Sequence, residues 1–542
     1  MKAKPTLPFD PFAIAKASTD VAMSLVTRPQ DLLQVQMEAA KEWGDFWIGM
    51  ATGRPAEAPR DRRFAASEWQ EDEYYRSIRD AYLLASKQLR EMADLGDGND
   101  NSKATVRLLL DQYLNAISPA NFAFTNPEVV KRTQETKGAN LVQGFAHLIE
   151  DIAAGKGIVQ RRTDANAFEK GKTIAATPGS VVFQNELFQL IQYAPATDTV
   201  AAEPLLYVPP LVNRYYMIDL VPRQSLVKWL VDEGRTVFVI SWVNPGPELK
   251  DKGVGDYVLD GVVRAVEEAG KRAGQAPDLF SFCLGGTLTA IALAWLAAKN
   301  RAKEVNSATL IGSLVDFSDM RDWSAFVHEG HLSALEDHLE GQGYVDSLEL
   351  QRLFAAMRAN DLIWSSVINH YLLDKDAPPS DLLYWFEDGA RIPAAFLKSY
   401  NRDLLLNNAL KEPAGFTVGD VAIDLAAITT PMLVIALKDD HVSAWEAVYA
   451  GARHLKADFV LGGSGHNAGV INPPARNKHG YWTNAKQPES AETWLATATK
   501  HDGSWWPWWT KWLDDHGSAK TVEARKAEKP IEPAPGSYAT MP

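Results

Sequence analysis

The chain has 542 residues, of which 46% are hydrophobic and 23% are charged, and its formal net charge is −14. This composition is typical of a globular protein with a large core, and the negative charge argues against a general nucleic-acid binder. The single cysteine excludes an intramolecular disulfide framework and fits a reducing compartment. The sequence has no run of about 18 apolar residues and no signal-peptide pattern at its start, so we expect a cytoplasmic protein without a transmembrane segment.

Residues 1–165 are predicted to form a mainly helical N-terminal domain. Apolar residues recur there at three- and four-residue spacing, as in DLLQVQMEAAKEWGDFWIGM and YYRSIRDAYLLASKQLREMADL. The length of the chain favours two domains or one enlarged domain.

In residues 166–516, short apolar strands alternate with helical segments. The strands are PLLYVPP, TVFVISW, DLFSF, SATLIGSLVDF and PMLVIALKDD, with SLVKWLVDEG, DYVLDGVVRAVEEAGKRAG and GTLTAIALAWLAAK as helices. This alternation predicts parallel strands with crossover helices, which is the α/β class. Residues of about 320–400 interrupt the alternation with aromatic-rich helical sequence and are predicted to be an inserted lid. Residues 517–542 are polar and proline-rich, which predicts an extended or mobile C-terminal tail.

The only cysteine, Cys283, lies between the strand DLFSF and the helix that follows. A lone cysteine is most often a small packed hydrophobic residue. Here, however, the pattern from Ser281 to Gly285 is similar to the nucleophile elbow of α/β-hydrolases, in which a sharp strand-to-helix turn exposes the nucleophile. The usual first glycine of that pattern is replaced by Ser281.

Two later loops supply a candidate acid and a candidate base. Asp439 and Asp440 follow the strand PMLVIAL, and His466 follows the strand ADFVLGG. Taken alone, the aspartates are most simply a solvated turn and the histidine a surface residue. The order Cys283, Asp440, His466 is nevertheless that of a hydrolase-type triad. Because both loops follow strands, all three residues can meet at one edge of the sheet.

Several long segments in order resemble the polyhydroxyalkanoate synthases, and within them class I. The resemblance runs from about residue 70 to the C-terminus and is carried by PLLYVPPLVNRYYMIDLVPRQSLVKWLVDEGRTVFVISWVNP, FCLGGT, NDLIWSSVINHYLLDKDAPPSDLLYW, DDHVSAW, GSGHNAGVINPP, GSWWPWWTKWL and IEPAPGSY. It implies an α/β-hydrolase catalytic domain with an inserted lid, preceded by a mainly helical domain.

The resemblance also implies residue roles. Cys283 would be the acyl-bearing nucleophile, His466 the general base and Asp440 its partner. Asp440 is chosen over Asp439 because the acid of the family directly precedes a histidine, here His441, which is a candidate supporting residue.

Three further residues are candidates for contact with the substrate. The loop PPLVN resembles the oxyanion loop of the family, so the backbone N–H groups of Leu284 and Val212 are expected to stabilise the tetrahedral intermediate. Arg402 stands where the family has an arginine and is a candidate for the CoA phosphates, although a surface ion pair is an equally good interpretation.

The sequence departs from the family at three positions. Members usually have glycine in place of Ser281, proline in place of Ala444, and asparagine in place of Phe386. These departures concern the elbow, the acid loop and the lid, and they leave the triad in place.

The function that the resemblance implies is polymerisation of (R)-3-hydroxyacyl-CoA, with 3-hydroxybutyryl-CoA as the expected substrate, and release of CoA. The implied partners are the growing polyester chain, the surface of its granule, granule-associated proteins and a second copy of the chain, with granule-associated localisation in the cytoplasm. Two alternatives stay open: a cysteine-dependent thioesterase or polyester hydrolase of the same fold, and a non-catalytic granule-coat protein.

No cofactor or metal is expected. His328, His331 and His338 are spaced suggestively, but we assign them to a lid loop and helix rather than to a metal site. The tryptophans of WWPWW would suit contact with the polymer, but packing of a C-terminal helix on the core is the favoured interpretation, because tryptophan is highly buried on average.

Overall fold

The computed structural model describes residues 18–21, 23–24, 27–53, 61–96, 100–153 and 163–541. These residues form two compact units. The first unit comprises the described residues up to 165 together with Ser324–His331 and Gln351–Ser380. The second comprises Asn166–Trp323, Leu332–Leu350 and the described residues from 381 onward.

The first unit is helical, as the spacing of its apolar residues predicts. Asp72 and Asn126 begin two of its helices, because each side chain accepts hydrogen bonds from the N–H groups of the first turn. Phe64 and Trp69 form a small buried cluster there. The α-helices of the N-terminal part are α1 (Pro29–Thr52), α2 (Glu68–Glu71), α3 (Glu73–Leu95), α4 (Asp100–Ala116), α5 (Pro127–Glu135) and α6 (Ala139–Ala153).

The middle of the predicted lid belongs to this first unit. Two π-helical turns, Asn360–Trp364 and Val367–Leu372, lie in it. A Cβ atom at Gly144 of α6 would lie 1.9 Å from the carbonyl oxygen of Tyr371, and the Asn140 side chain donates to the Leu372 carbonyl at 2.7 Å. The segment that the sequence predicts as one insertion is therefore divided between the two units, because part of it packs directly on a helix of the N-terminal part.

Most strands of the second unit join in one sheet. In the described part of the chain, eleven strands form it in the order β15-β14-β13-β12-β7-β6-β4-β5-β2-β1-β17. The six strands from β13 to β5 in this order are mutually parallel, and the outer strands on both sides pair antiparallel. The strands are β1 (Gly179–Gln184), β2 (Phe188–Tyr193), β3 (Thr199–Ala201), β4 (Leu205–Val208), β5 (Val237–Trp242), β6 (Asp278–Phe282), β7 (Ser307–Ile311), β8 (Tyr344–Val345), β9 (Ile392–Pro393), β10 (Phe416–Val418), β11 (Val421–Ile423), β12 (Met432–Leu437), β13 (Asp458–Gly462), β14 (Tyr481–Thr483), β15 (Thr499–His501), β16 (Thr521–Glu523) and β17 (Glu532–Pro533).

Helices cover both faces of this sheet. Successive strand residues point to opposite faces, so Leu206 belongs to a core with α9, α10 and α15, whereas Leu205 belongs to a second core with α7 and α17. This arrangement confirms the predicted α/β class and the α/β-hydrolase fold. The remaining α-helices are α7 (Leu226–Asp232), α8 (Val254–Asp256), α9 (Arg264–Ala273), α10 (Leu284–Ala298), α11 (Glu329–Gln342), α12 (Ser347–Met357), α13 (Asp381–Glu387), α14 (Ala394–Ser399), α15 (Trp445–His454), α16 (Ala491–Thr497), α17 (Trp506–His516) and α18 (Gly536–Thr540).

The tryptophan-rich helix α17 packs on the sheet. Trp505, Trp506 and Trp509 are fully buried in the second core, and the Trp509 indole N–H donates to the Thr309 hydroxyl at 2.9 Å. Core packing, the favoured interpretation of this segment, is confirmed.

The C-terminal tail is extended over much of its length but is packed rather than mobile. β16 pairs with β3, and β17 pairs with β1 at the edge of the large sheet. The Arg525 guanidinium donates to the Ala202 carbonyl at 2.7 Å. Pairing with distant strands orders a segment whose polar composition alone predicts mobility.

Candidate active site

Cys283 occupies a sharp turn between β6 and α10. Its backbone adopts φ 52° and ψ −126°, a conformation that is strained for a residue with a side chain. The Cys283 N–H donates to the Ile311 carbonyl at 2.9 Å, which ties the turn to the neighbouring strand β7. The side chain is half-buried. The turn therefore has the strained backbone and partial exposure that a nucleophile elbow needs.

The glycines after the cysteine are required by close packing. A Cβ atom at Gly285 would lie 2.2 Å from the Val208 carbonyl oxygen, and one at Gly286 would lie 2.0 Å from the Ser313 hydroxyl. Ser281, which replaces the usual first glycine, is fully buried in β6 and donates to the Thr309 carbonyl at 3.3 Å. The strand accommodates this serine because its hydroxyl finds an acceptor within the sheet.

Asp440 and His466 are hydrogen-bonded to each other at the carboxyl ends of β12 and β13. The His466 Nδ1–H donates to Asp440 Oδ2 at 2.6 Å. The other oxygen, Oδ1, accepts from the backbone N–H groups of Val442 and Ser443 at 2.8 and 2.9 Å. Asp440 is buried, whereas Asp439 is exposed. Only Asp440 is thus held rigidly against the imidazole.

The thiol of Cys283 lies within hydrogen-bonding reach of His466. Burial of the imidazole acts to lower its pKa, but the charges of Asp440 and Cys283 and their hydrogen bonds to the ring outweigh burial and raise the pKa of His466 to about 10. The Phe282 ring packs on the imidazole with a centroid distance of 4.6 Å. An imidazolium is therefore favoured near neutral pH.

Gly312, directly after β7, was not singled out from the sequence. It adopts φ +54°, and a Cβ atom there would lie 3.4 Å from Asp440 Oδ2 and 3.5 Å from His466 Nδ1. An added Cβ would be in ordinary contact with this hydrogen-bonded pair, so the position favours glycine for its backbone conformation. The only signal in the sequence was the glycine at the end of the strand SATLI.

Two tyrosines whose pKa values are affected by Cys283 also carried no signal in the sequence: Tyr207, which is buried, and Tyr400, which is half-buried. Burial, and after it the charge of Cys283, raises the pKa of Tyr207 and of Tyr400 well above the usual range of tyrosine. Both hydroxyls therefore stay neutral.

The two candidate oxyanion donors lie on elements that flank the elbow. Leu284 is the first residue of α10, and the first N–H groups of a helix have no acceptor within the helix. Val212 follows β4, and its carbonyl accepts from the Ala390 N–H at 3.1 Å. Pro209, three residues before Val212, lies close to Gly285, where a Cβ atom would be 2.9 Å from the Pro209 carbonyl. The loop after β4 is thus adjacent to the elbow.

Arg402 is engaged elsewhere. Its guanidinium forms an ion pair with Glu336, with one nitrogen 3.1 Å from the carboxylate, and it also donates to the Ser333 hydroxyl at 3.3 Å. This geometry favours the ion-pair interpretation of Arg402 over phosphate binding. His441 is half-buried directly after Asp440.

The described residues were also compared with the requirements of a metal site and of a membrane-spanning helix. His338 pairs with Glu349 at 3.2 Å, and within the described ranges no group of three or more His, Cys, Asp or Glu side chains has the arrangement of a metal site. Among the described helices, none is both long and apolar enough to cross a membrane.

Comparison with known proteins gives consistent matches over nearly the whole chain. Residues 60–230 match the family described as the poly-beta-hydroxybutyrate polymerase (PhaC) N-terminus. The poly(3-hydroxyalkanoate) polymerase subunit PhaC of Cupriavidus necator is 41% identical, and the alignment covers 96% of this chain and 90% of that protein. The poly(3-hydroxyalkanoate) polymerase of Methylorubrum extorquens is 38% identical, with coverage of 97% and 90%. The corresponding subunit of Rhizobium etli is 40% identical, with coverage of 88% and 76%. The chain therefore belongs to the poly(3-hydroxyalkanoate) polymerase family.

Proposed function

We propose that this acyltransferase polymerises (R)-3-hydroxyacyl-CoA into polyhydroxyalkanoate and releases CoA through a thioester intermediate on Cys283. The substrate class comes from the names of its relatives. The observation that carries the mechanism is the strained cysteine beside a buried His466–Asp440 pair joined at 2.6 Å. A nucleophile, a base and an orienting carboxylate in contact are the parts that covalent acyl transfer requires.

In the first half-reaction, the Cys283 thiolate attacks the thioester carbonyl of the substrate. The N–H groups of Leu284 and Val212 donate to the developing oxyanion. The bond between the acyl carbon and the CoA sulfur breaks, and the His466 imidazolium gives its proton to the departing sulfur. The products are free CoA and an acyl thioester on Cys283.

In the second half-reaction, the neutral His466 accepts the proton of a 3-hydroxyl group on another monomer or chain. The oxygen attacks the acyl group, an oxygen ester forms, and the Cys283 thiolate leaves. The imidazolium and thiolate are restored. Cysteine suits this sequence because exchange of one thioester for another is nearly isoenergetic, so the acyl group stays activated, whereas a serine ester would be a poorer donor.

The proposal extends to partners and location. The growing polyester is insoluble in water, so we propose that the enzyme acts at the surface of a polymer granule in the cytoplasm, as a homodimer, with granule-associated proteins nearby. In this proposal residues 1–165 form a granule-facing or partner-facing domain, residues 166–516 form the catalytic domain with its lid, and 517–542 form the tail. Neither a metal nor a cofactor takes part.

Purified protein incubated with 3-hydroxybutyryl-CoA tests the proposal. CoA release with growing turbidity from insoluble polyester supports a polymerase. Release of CoA with only free 3-hydroxybutyrate would instead identify a thioesterase of the same fold. Binding of polyester without CoA release from any acyl-CoA would identify a granule-coat protein.

A further inference from the structure

α18 and Met541 form a turn near the C-terminus. Two cationic side chains from distant parts of the second unit bind the backbone carbonyls of this turn. The Arg214 guanidinium donates to the Tyr538 carbonyl at 2.9 Å and to the Met541 carbonyl at 2.6 Å. The Lys170 ammonium donates to the Ala539 carbonyl at 3.1 Å. The last carbonyls of a helix lack partners within the helix and favour positive charge. These two cations therefore fix the position of the turn.

Arg214 is itself buried, with only 5% of its surface exposed. A buried guanidinium needs counter-charge and hydrogen bonds, and Asp388 supplies charge with its carboxylate 3.8 Å from the Arg214 Nε. Asp388 is held in turn by Lys170 at 2.9 Å and by the Tyr216 hydroxyl at 2.7 Å. Arg214 is thus locked between this carboxylate and the carbonyls of the C-terminal turn.

The backbone of Arg214 continues the loop that carries Val212. The Trp385 indole N–H donates to the Arg214 carbonyl at 2.7 Å. Asn213 forms an antiparallel bridge with Gly389. The loop is therefore held in two ways. Residues 385–390 bind its backbone, and the side chain of Arg214 links it to the C-terminal turn.

We propose that the turn Gly536–Met541 is a positioning element for the oxyanion loop and that Arg214 is the positioning residue through which it acts. The inference rests on the proposed function, because it takes the Val212 N–H as an oxyanion donor. Such a donor must stay within about 0.5 Å of its productive position to be effective. A loop donor needs anchors outside the loop: residues 385–390 supply one, and the two hydrogen bonds of Arg214 to the turn supply a second.

The test compares two reactions of Cys283 that differ in their need for an oxyanion hole. Acylation by p-nitrophenyl butyrate forms a tetrahedral intermediate, breaks the ester bond and releases nitrophenol while the butyryl group stays on sulfur. Alkylation by iodoacetamide displaces iodide directly and forms no oxyanion. For Arg214→Gln we expect acylation to slow by at least about tenfold, up to the 10²–10³-fold that loss of a whole donor costs, while alkylation keeps its wild-type rate.

A deletion of residues 536–542 removes the turn but leaves Arg214 in place. It tests the same connection if the Arg214→Gln variant does not fold. Its acylation rate should fall by a similar factor. The deletion combined with Arg214→Gln should be no slower than either change alone, because both break the same connection. Arg525→Gln is the matched control. Arg525 also ties the tail to the rest of the second unit, because its guanidinium donates to the Ala202 carbonyl at 2.7 Å, but it belongs to a different part of the tail. Its acylation rate should stay at the wild-type value.

Wild-type acylation rates in both the Arg214 variant and the deletion would overturn the inference. So would equal losses of acylation and alkylation, which would point to general damage, or losses that multiply in the combined variant. The proposed function fails by a separate result. A wild-type chain that is acylated by the ester but makes no polyester from 3-hydroxybutyryl-CoA would refute polymerase activity. The role of Arg214 in positioning the loop would then still be decided by the acylation rates of the variants. A wild-type chain that neither reagent modifies at Cys283 refutes both.

Discussion

Cys283 carries the only thiol of the chain, so no other thiol can replace the proposed nucleophile when this residue is substituted. We expect Cys283→Ala to abolish CoA release while the far-ultraviolet circular dichroism stays unchanged, because one small side chain replaces another. Cys283→Ser should also be severely impaired, since its oxygen ester is a poorer acyl donor. Substantial CoA release by the alanine variant would exclude Cys283 as the nucleophile.

The adjacent aspartates provide an internal comparison. Asp440 accepts from His466 and from two backbone N–H groups, whereas Asp439 is exposed. Asp440→Asn should lower kcat by about 10³- to 10⁴-fold, as loss of the orienting carboxylate does in other triads. Asp439→Asn should change kcat little. Equal losses, or the reverse order, in steady-state CoA release would exclude Asp440 as the partner of the base.

The raised pKa of His466 predicts how stability depends on pH. Because the folded pKa, about 10, lies above the ordinary value of 6.5, the unfolded chain loses this proton first as pH rises. The stabilisation is complete below pH 6.5 and is lost between 6.5 and about 10. Urea unfolding should therefore show a free-energy advantage of the wild type over His466→Gln that shrinks across this window. An advantage that grows with pH would contradict the assigned charge state.

At the scale of elements, the elbow depends on how closely α10 approaches the loop after β4. A methyl group at position 285 would meet backbone atoms of Val208 and Pro209 at 2.2–2.9 Å, and backbone cannot move aside as a flexible side chain can. Gly285→Ala should therefore cost about 1–3 kcal/mol of unfolding free energy and reduce acylation of Cys283. Gly341→Ala in α11, where nothing lies within 4 Å of the added Cβ, is the control and should be neutral or stabilising. Equal effects of the two substitutions on the urea midpoint would contradict this account.

The elements that the sequence predicts are those with local signals. The strand–turn–helix around Cys283 is visible from a short apolar strand, a small-residue turn and a helical run, and the loops of Asp440 and His466 each follow an apolar strand. Gly312 carries no such signal, because its role depends on Asp440 and His466, which come more than a hundred residues later. The pairing of β17 with β1 and the packing of Gly144 against Tyr371 depend in the same way on residues far apart in the chain. Such contacts leave no periodicity to detect.

At the scale of the whole molecule, the predicted lid bears on access to Cys283. The thiol is half-buried, and the parts of the predicted lid at 332–350 and 381–400 belong to the same unit as the triad. Of its aromatic residues, Trp385 is buried and donates to the Arg214 carbonyl, and Tyr384 packs on Phe168. Trp364 and Tyr371 belong to the other unit. The exclusion of water from an acyl-enzyme is the expected role of a lid.

A covered site predicts delayed kinetics. We expect a lag in CoA release that shortens when the protein concentration is raised or a priming oligomer of 3-hydroxybutyrate is added, because the proposed lid opening or dimerisation would precede turnover. The progress curve of CoA release at several protein concentrations measures this. Reaction of Cys283 in unprimed protein with a bulky thiol reagent, at the rate of a free peptide thiol, would show that no cover exists.

The position of β17 at the border of the large sheet has a consequence for aggregation. An outer strand presents unpaired N–H and C=O groups and is a template for strands of other molecules. Here the border is only two residues long, and one of them, Pro533 beside Glu532, has no N–H to offer. The charge of Glu532 further disfavours a second strand at this edge. We therefore expect chains crowded onto one surface to resist growth into fibrils from this border of the sheet.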